Sequence, residues 1–426
     1  MALTPTQHAL INHLAPQRAK RVEELRHLVS IPTGHRNATG LDACRDWFRA
    51  RFESLGATCR DVDGDPAPEW LREGVVATGS PPPMLVATRT HQRAAARVLL
   101  CGHIDTVHDP AGTFRQLVVS QDGKTATGPG CADMKGGLLV SLAALEAIEA
   151  FGVPISWTFA IISDEETGTF HADASLRALA RTCANEHFDA GLVFEPAMPD
   201  GGLVIERPGS GQFMIECRGR AAHVGRDFTK GVSAVHALAE AITKAGAFAD
   251  PAQGLILSIG PIEGGSATNI VPNLARAWGN VRCFRPAAEA RAREQLASLN
   301  KHHNMLPSTQ VDLIFNRPAK PSTDGVLRLA ALARDCLSLL HESRATPHAT
   351  MNFSSTGGVC DGNNIQAATE NRLPVIDTLG VRGGGLHTTE EWIELDSLVE
   401  RAQLTALLME RLASGAMCAD GARSVP

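Results

Sequence analysis

Tyrosine is absent from all 426 residues of the sequence, and aromatic residues together make up only 4%. Any catalytic scheme for this chain must therefore draw its acids, bases and nucleophiles from other side chains. The ten cysteines form no CxxC pair and no dense cluster, which argues against a disulfide framework. We expect mostly buried thiols in a reducing compartment, with the cytoplasm as the default location.

Long apolar runs and long basic runs are also missing. No apolar run reaches the roughly 18 residues that a membrane-spanning helix needs, so the sequence predicts no contact with a membrane. The N-terminal segment is interrupted by polar residues and predicts an amphipathic helix that ends before Pro32, not a signal peptide. The formal net charge of −6 argues against a nucleic-acid partner.

The order of strand-like and helix-like segments predicts two kinds of architecture. Strand-like and helix-like segments alternate over the first 200 residues, which indicates an α/β sheet with mostly parallel pairing. Strand–helix–strand–strand–helix–strand follows, an α+β unit whose exit is marked by Pro318 and Pro321. We therefore expect a catalytic α/β domain formed by residues 1–208 and 320–426, interrupted by an inserted α+β domain at 209–319.

Acidic and imidazole side chains follow successive strand-like segments. His103 and Asp105 come after the apolar "VLL", and Glu195 ends the segment "GLVFEP". Three adjacent acids, residues 164–166, end another buried strand, and Asp133 lies in a glycine-rich loop before a helix. Because open α/β sheets bind ligands at the carboxyl ends of their strands, we expect these groups to meet in one crevice.

Carboxylates gathered in one crevice repel one another and resist desolvation, so the pattern indicates divalent metal ions. One imidazole with several carboxylates suits zinc, manganese or cobalt better than magnesium or calcium. Two ions about 3.5–4 Å apart, bridged by one carboxylate, would use all the groups. His387, in "GGGLHTTEEW", offers a second imidazole. Each motif alone has an ordinary alternative, such as a solvated acidic turn or a helix N-cap at Asp133.

With these motifs, the sequence resembles the M20 metallopeptidases, which include glutamate carboxypeptidases, acetylornithine deacetylases, succinyl-diaminopimelate desuccinylases and aminoacylases. The resemblance spans nearly the whole chain, in the family's order, through "LLCGHIDTV", "GPGCADMKGGL", "ISDEETG", "FEP", "GRAAHVG", "ATNIVPNLARAWGNVR", "TGGVCDGNN" and "GLHTTEEW". It implies that the inserted domain serves as a lid and as a dimerisation domain. Glutamate-releasing carboxypeptidases are the branch that the chain resembles most.

The resemblance also implies a ligand set for two metal ions. One ion would be held by His103, Asp133 and Glu195. The other would be held by Asp133, Glu166 and His387, so that Asp133 bridges the two. Zinc is the favoured metal, with cobalt or manganese as alternatives.

Catalytic roles follow from the same resemblance. Asp105 would hydrogen-bond the far nitrogen of His103 and fix the orientation of that ring. Glu165 would be the general base, which takes a proton from the activated water and passes it to the leaving amine. His223 would stabilise the oxyanion, reaching the partner subunit's site in dimeric members, and Asn269 would assist it. Without the resemblance, His223 would be read as a surface turn histidine.

A substrate carboxylate needs a cation or a nest of backbone amides. Arg282 matches a position that binds carboxylate in many members of the family. Arg317 and Arg207 are weaker candidates, and the ordinary alternative for each arginine is a surface ion pair. Gly357 and Gly358 would supply backbone amides.

Together these observations predict a homodimeric two-metal amidohydrolase. Its substrate would be a small N-acyl amino acid or peptide, with C-terminal glutamate favoured. One alternative is a deacylase or deaminase that acts on another small acylamino or aromatic substrate. The other is a non-catalytic scaffold of the M20 type that binds amino acids.

Overall fold

The computed structural model describes residues 3–34, 37–71, 82–301, 304–344 and 351–417. Its helices are α1 (Pro5–Leu14), α2 (Arg18–Ser30), α3 (Ala38–Ser54), α4 (Gly137–Ala150), α5 (Asp173–Asn185), α6 (Val224–Asp227), α7 (Ala234–Gly246), α8 (Pro286–Ala297), α9 (Asp324–Arg344), α10 (Asp361–Ala368) and α11 (Ser397–Ala413). Its strands are β1 (Thr58–Val62), β2 (Met84–Arg89), β3 (Ala96–His103), β4 (Val118–Val119), β5 (Thr125–Thr127), β6 (Ile155–Ile162), β7 (Ala190–Val193), β8 (Leu203–Glu206), β9 (Gly209–Arg218), β10 (Leu255–Gly264), β11 (Leu274–Cys283), β12 (Ser308–Arg317), β13 (Phe353–Ser355), β14 (Val375–Ile376), β15 (Gly383–Gly384) and β16 (Trp392–Glu394).

The main sheet has the strand order β1-β2-β6-β3-β7-β14. The three pairings that join β6, β3, β7 and β14 are parallel, and the two at the β1 edge are antiparallel. This confirms the predicted mixed α/β fold with a mostly parallel sheet. In the β3–β6 register His103 lies opposite Ile162, so the carboxyl ends of these two strands coincide.

Both faces of this sheet are covered by apolar side chains, as a parallel sheet requires. Leu100 of β3 packs into one core with Leu138 of α4, and that core also takes in side chains of α11. Its neighbour Leu99 packs into the opposite core with Leu176 of α5 and Ile365 of α10. Successive strand residues point to opposite faces, and this alternation holds the sheet between two helical layers.

A second sheet, fully antiparallel, has the order β10-β11-β9-β12. Along the chain its elements follow the predicted order, with α7 after β9 and α8 between β11 and β12. It has apolar cores of its own, in which Phe213 and Ile215 pack with Leu238 and Leu296. The β10 strand is an edge of this sheet, so one side of its backbone has no neighbouring strand within it.

Some elements were not predicted from the sequence. The short strands β13 and β8 pair in parallel, and β15, β16, β5 and β4 form a small antiparallel sheet. The N-terminal segment is two helices, α1 and α2, joined by the turn Ala15–Gln17, and α2 ends before Pro32 as expected. Among the described helices, none is both long enough and apolar enough to cross a membrane.

Candidate active site

The main sheet brings the predicted side chains to one edge. His103 is the last residue of β3, the acids at 164–166 follow the end of β6, and Glu195 follows the end of β7. Helix α4 starts against this edge, because a Cβ at Gly137 would lie only 2.0 Å from the Phe194 carbonyl oxygen. Glycine therefore permits the close approach that places the preceding loop beside Glu195.

A first group of ligand-type side chains consists of His103, Asp133 and Glu195. The Nε2 atom of His103 lies 3.1 Å from Asp133 Oδ1 and 4.0 Å from Glu195 Oε2. One nitrogen or oxygen atom from each side chain lies within 4.8 Å of the others, and all three residues are buried.

A second group consists of Asp133, Glu166 and His387. The Nε2 atom of His387 lies 3.4 Å from Asp133 Oδ2 and 3.2 Å from Glu166 Oε2. These atoms also lie within 4.8 Å of one another. Asp133 belongs to both groups and faces each imidazole with a different oxygen, as a bridging carboxylate would.

The electrostatics of the two groups favour bound cations. Burial raises the pKa of both Glu195 and Glu166. Burial opposes ionisation of Asp133 as well, but hydrogen bonds to His103 and His387 outweigh it and lower its pKa. Bonds to Asp133 and Glu166 raise the pKa of His387 to about 10. Three carboxylates, those of Asp133 and Glu195 buried and that of Glu166 partly buried, surround two imidazoles and form a donor set that fits zinc, cobalt or manganese.

Asp105 ties the first group to the acidic turn. It is fully buried, and its Oδ1 lies 3.4 Å from His103 Nδ1. Its carboxylate also accepts hydrogen bonds from the backbone N–H groups of Glu165 and Glu166, at 3.1 and 2.9 Å. His103 Nδ1 lies closer still, at 3.1 Å, to the backbone oxygen of Asp105, so the main chain and the carboxylate of this residue together orient the imidazole and the turn. Asp164 braces the same turn, because its Oδ2 accepts from the backbone N–H of His171 at 2.7 Å.

Glu165 lies beside both groups but belongs to neither. Its Oε1 accepts a hydrogen bond from Nη2 of Arg317 at 2.6 Å, and in the described part of the chain no hydrogen bond uses Oε2. Burial raises the pKa of Glu165 to about 8, against the opposing charge of Arg317. A largely buried carboxyl group with one free oxygen and a pKa near neutrality has the properties of a general base.

Glu391 is a site residue that the sequence reasoning missed. It is buried, and its Oε1 accepts hydrogen bonds from the backbone N–H groups of Ala132 and Asp133, at 2.8 and 3.0 Å. Its Oε2 accepts from the N–H of Gly130 at 2.9 Å and lies 2.7 Å from His108 Nε2. Glu391 thus holds the loop that carries Asp133. The only signal in the sequence was its place four residues after His387.

Two of the three arginines predicted to bind substrate form ion pairs with carboxylates of the chain itself. Arg207 donates from Nε and Nη2 to both oxygens of Asp377, at 3.0 and 2.7 Å. Arg317 contacts Glu165 and Asp361, and both arginines are buried. Their guanidinium groups already have carboxylate partners within the chain. The predicted alternative was an ion pair at the surface, whereas these pairs lie in the interior.

Arg282 differs from Arg207 and Arg317 because it has no carboxylate partner among the described residues. Its Nε donates to Asn280 Oδ1 at 3.0 Å, but its Nη1 is buried and has no hydrogen-bond partner among the residues that the structure describes. Burial and the neighbouring Arg317 lower its pKa. A buried donor without a partner is costly, and an incoming carboxylate would satisfy it.

His223 and Asn269 lie close to each other. The residue after His223, Val224, donates its N–H to the Asn269 carbonyl at 3.0 Å. Among the described residues, no hydrogen bond or ion pair joins His223 or Asn269 to the two ligand groups.

Gly357 and Gly358, predicted to supply backbone amides, are exposed in the loop between β13 and α10.

Comparison with known proteins identifies the family. Residues 99–411 match "Peptidase family M20/M25/M40". The chain belongs to this peptidase family. It is 26% identical over 403 residues to carboxypeptidase G2 of Pseudomonas sp. (strain RS-16). This alignment covers 92% of this chain and 89% of that protein. It is 25% identical over 368 residues to succinyl-diaminopimelate desuccinylase 2 of Shewanella loihica, covering 80% of this chain and 94% of that protein.

A similar fold occurs in a tripeptidase from Staphylococcus aureus. The TM-score is 0.70 at 21% identity, with 93% of this chain and 99% of that chain covered. The family match confirms the predicted M20 membership and shows that the chain is a metal-dependent hydrolase. Its relatives include carboxypeptidases and desuccinylases.

Proposed function

We propose that this protein is a two-metal amidohydrolase that cleaves the amide bond of an N-acyl amino acid or releases a C-terminal glutamate. The observation that carries the proposal is the pair of ligand groups that share Asp133, with Glu165 beside them and its Oε2 in no hydrogen bond with any described residue. Carboxypeptidase G2 and the desuccinylase, both similar to this chain, support amide hydrolysis as the reaction class.

His103, Asp133 and Glu195 would hold one ion, and Asp133, Glu166 and His387 the other, with zinc favoured over cobalt or manganese. Two such ions would polarise the scissile carbonyl and acidify the attacking water. Glu165 takes the proton of that water on Oε2 and passes it to the leaving amine. Asp105 holds the ring of His103 and the backbone of the acidic turn in one orientation during this transfer.

Arg282 is the group that we assign to the substrate carboxylate, because its Nη1 is buried and has no partner in the described part of the chain. Arg282 on β11 and the site-facing Arg317 on β12 both lie opposite Ser210 of β9, the strand between them. Backbone amides at Gly357 and Gly358 would supply further donors. Arg282→Met should raise KM for an N-acyl amino acid but leave KM for the corresponding carboxamide unchanged.

A homodimer would complete the site. Large apolar side chains are exposed along the chain from α6 to β10, among them Phe228 directly after α6 (64% exposed), Val235 on α7 (36%) and Ile262 on β10 (58%). An apolar surface next to an edge strand is typical of a subunit interface. Such a dimer would carry His223 and Asn269 to the partner's site, where His223 would stabilise the oxyanion. Ile262→Asp should convert the dimer to a monomer in light scattering and lower kcat.

Two further assignments complete the proposal. We assign residues 209–319 to an inserted lid and dimerisation domain and residues 1–208 and 320–426 to the catalytic domain, supported by the separate sheet and cores of the insert. We also assign the enzyme to the cytoplasm. The nine cysteines that the structure describes are all free, as in a reducing compartment. Fractionation of the source cells would test this location.

The test is a substrate screen of protein loaded with zinc, cobalt or manganese, with the released amine as the readout. Benzoyl-glutamate and folyl-glutamate represent the carboxypeptidase reaction, and N-acetyl amino acids represent the deacylase reaction. Glu165→Gln protein, loaded in the same way, is the control for contaminating activity. Preferred release of glutamate would support the favoured substrate, whereas preference for another acylamino compound would support the deacylase alternative. Binding without hydrolysis of any compound would indicate a non-catalytic scaffold.

A further inference from the structure

Arg317 connects the second sheet to the acidic turn of the first. It is the last residue of β12, and its side chain is 2% exposed. Its Nη2 donates to Glu165 Oε1 at 2.6 Å and to the Glu165 backbone oxygen at 3.3 Å. Its Nη1 lies 2.5 Å from Oδ1 of Asp361. One guanidinium group therefore lies between the buried carboxylate of Asp361 and the largely buried carboxylate of Glu165.

Asp361 holds the guanidinium from the other side. It is the first residue of α10 and is buried. Its Oδ1 also accepts a hydrogen bond from Thr169 Oγ1 at 2.7 Å, which fixes that oxygen. Arginine suits this place because its planar, always charged fork can donate to two partners in different directions, whereas lysine offers a single point of charge.

The backbone around Arg317 is fixed as well. The Asn316 side chain donates to the Gly168 carbonyl at 2.7 Å, so the strand end is attached to the acidic turn. On α10, Asn363 Nδ2 donates to the carbonyls of Pro208 and Pro318, at 2.9 and 2.8 Å. These prolines flank the 209–317 sheet, so a single side chain holds both of its connections to the rest of the chain.

We propose that Arg317 is a positioning residue for the general base. It holds Oε1 of Glu165 and leaves Oε2 directed to proton transfer, and Asp361 orients Arg317. The inference deepens the proposed function and rests on it, because it assigns a role relative to Glu165 as the base. It also replaces the expectation that Arg317 binds the substrate carboxylate.

Arg317 can affect the rate because it fixes the position of the Glu165 carboxylate. A glutamate side chain has several rotatable bonds, and holding it in one rotamer has an entropic cost that a fixed partner offsets. A base misplaced by about 1 Å can lose about 10²-fold in rate. Among the described residues Arg317 is the hydrogen-bond donor to Glu165 Oε1, so without it this oxygen would lose the partner that fixes the rotamer.

The test compares Arg317→Met with wild type in kcat, KM and metal content. We expect kcat to fall about 10²-fold, KM to stay within about twofold, and both metals to remain bound. In the Glu165→Gln background, Arg317→Met should cause no further loss of kcat, because Arg317 acts through Glu165. Asp361→Asn should reproduce part of the loss, again without a change in KM.

Arg282→Met is the matched control, since the proposed function assigns that arginine to substrate and its KM should rise. A similar rise in KM for Arg317→Met, loss of metal, or a further loss of kcat in the Glu165→Gln background would overturn the positioning role. If Arg317→Met does not fold, Arg317→Lys keeps the charge and gives the same readouts, with a smaller expected loss of kcat. Unchanged kcat in Arg317→Lys and Asp361→Asn would overturn the inference alone, whereas an inactive wild-type enzyme would overturn it together with the proposed function.

Discussion

The Nε2 atom of His387 lies 3.4 Å from Oδ2 of Asp133. These residues come from loops far apart in the chain, one before α4 and one before α11. The other oxygen of Asp133 faces His103, so a single carboxylate joins two histidines through two different atoms. This arrangement makes Asp133 the shared ligand of the proposed two-metal site.

The neighbouring acids Glu165 and Glu166 should respond differently to loss of charge. Glu165→Gln should retain both metals and lose about 10²–10⁴-fold in kcat, because it removes only the base. Glu166→Gln should lose the metal of the second group, because it removes a ligand. Metal content by elemental analysis and kcat, measured on the same preparations, distinguish the two. Loss of metal in Glu165→Gln would mean that the two roles are exchanged.

Glu391→Gln should weaken metal binding about 10–100-fold, although Glu391 is not a ligand. The amide nitrogen of glutamine cannot accept the hydrogen bond that Gly130 N–H donates to this side chain, so the loop carrying Asp133 would shift. Titration of the metal-free protein with cobalt measures the affinity. Glu390→Gln is the control, because Glu390 is exposed and adjacent in sequence. Equal affinities in both variants would rule out this positioning role.

His223 should act on the site of the partner subunit. His223→Ala and Glu165→Gln should each be nearly inactive as homodimers. When the two are mixed and allowed to exchange subunits, the site that keeps Glu165 receives His223 from the other chain. About a quarter of wild-type activity should then return, because half of the dimers are mixed and each has one intact site. If mixing restores nothing while exchange is demonstrated, His223 does not act across the dimer.

Glu146 gives a pH-dependent contribution to stability away from the active site. Burial opposes its ionisation, but ion pairs with Arg21 and Arg51 outweigh burial and lower its pKa to about 2. A lowered pKa stabilises the fold above the ordinary value of 4.5 and loses this effect as the pH falls toward 2. Glu146→Gln should therefore destabilise the fold by about 2 kcal/mol at pH 7.

The difference between wild type and Glu146→Gln should shrink steadily below about pH 5. Urea unfolding of the metal-free proteins at several pH values measures it. Glu23→Gln serves as the control, because the Glu23 side chain is 70% exposed and should show little effect at any pH. A difference independent of pH would contradict the assignment to the carboxylate charge.

Much of the fold and the ligand groups could be predicted because their signals are local. The apolar strands before His103, Glu166 and Glu195 are visible in the sequence, and parallel strands bring their carboxyl ends to one edge. The strand and helix order of the second sheet was equally visible. The small sheets were missed because strands of two to four residues carry too little periodicity to be recognised.

The partners of buried charged side chains could not be predicted in the same way. The sequence offers Arg317 and Arg207 as weaker candidates for the substrate carboxylate, with a surface ion pair as the alternative. In the structure they pair in the interior with Asp361 and Asp377, which lie far along the chain. Glu391 was part of a quoted motif, but its role depends on backbone N–H groups of a distant loop. A sequence shows the charge of a residue, whereas its partner is set by the packing of the whole fold.

The most direct test of the two-metal site is anomalous scattering from crystals of zinc-loaded or cobalt-loaded protein. The account predicts two peaks, one beside His103 and Glu195 and one beside Glu166 and His387, with Asp133 between them. A single peak, or peaks away from Asp133, in crystals of fully active enzyme would contradict it.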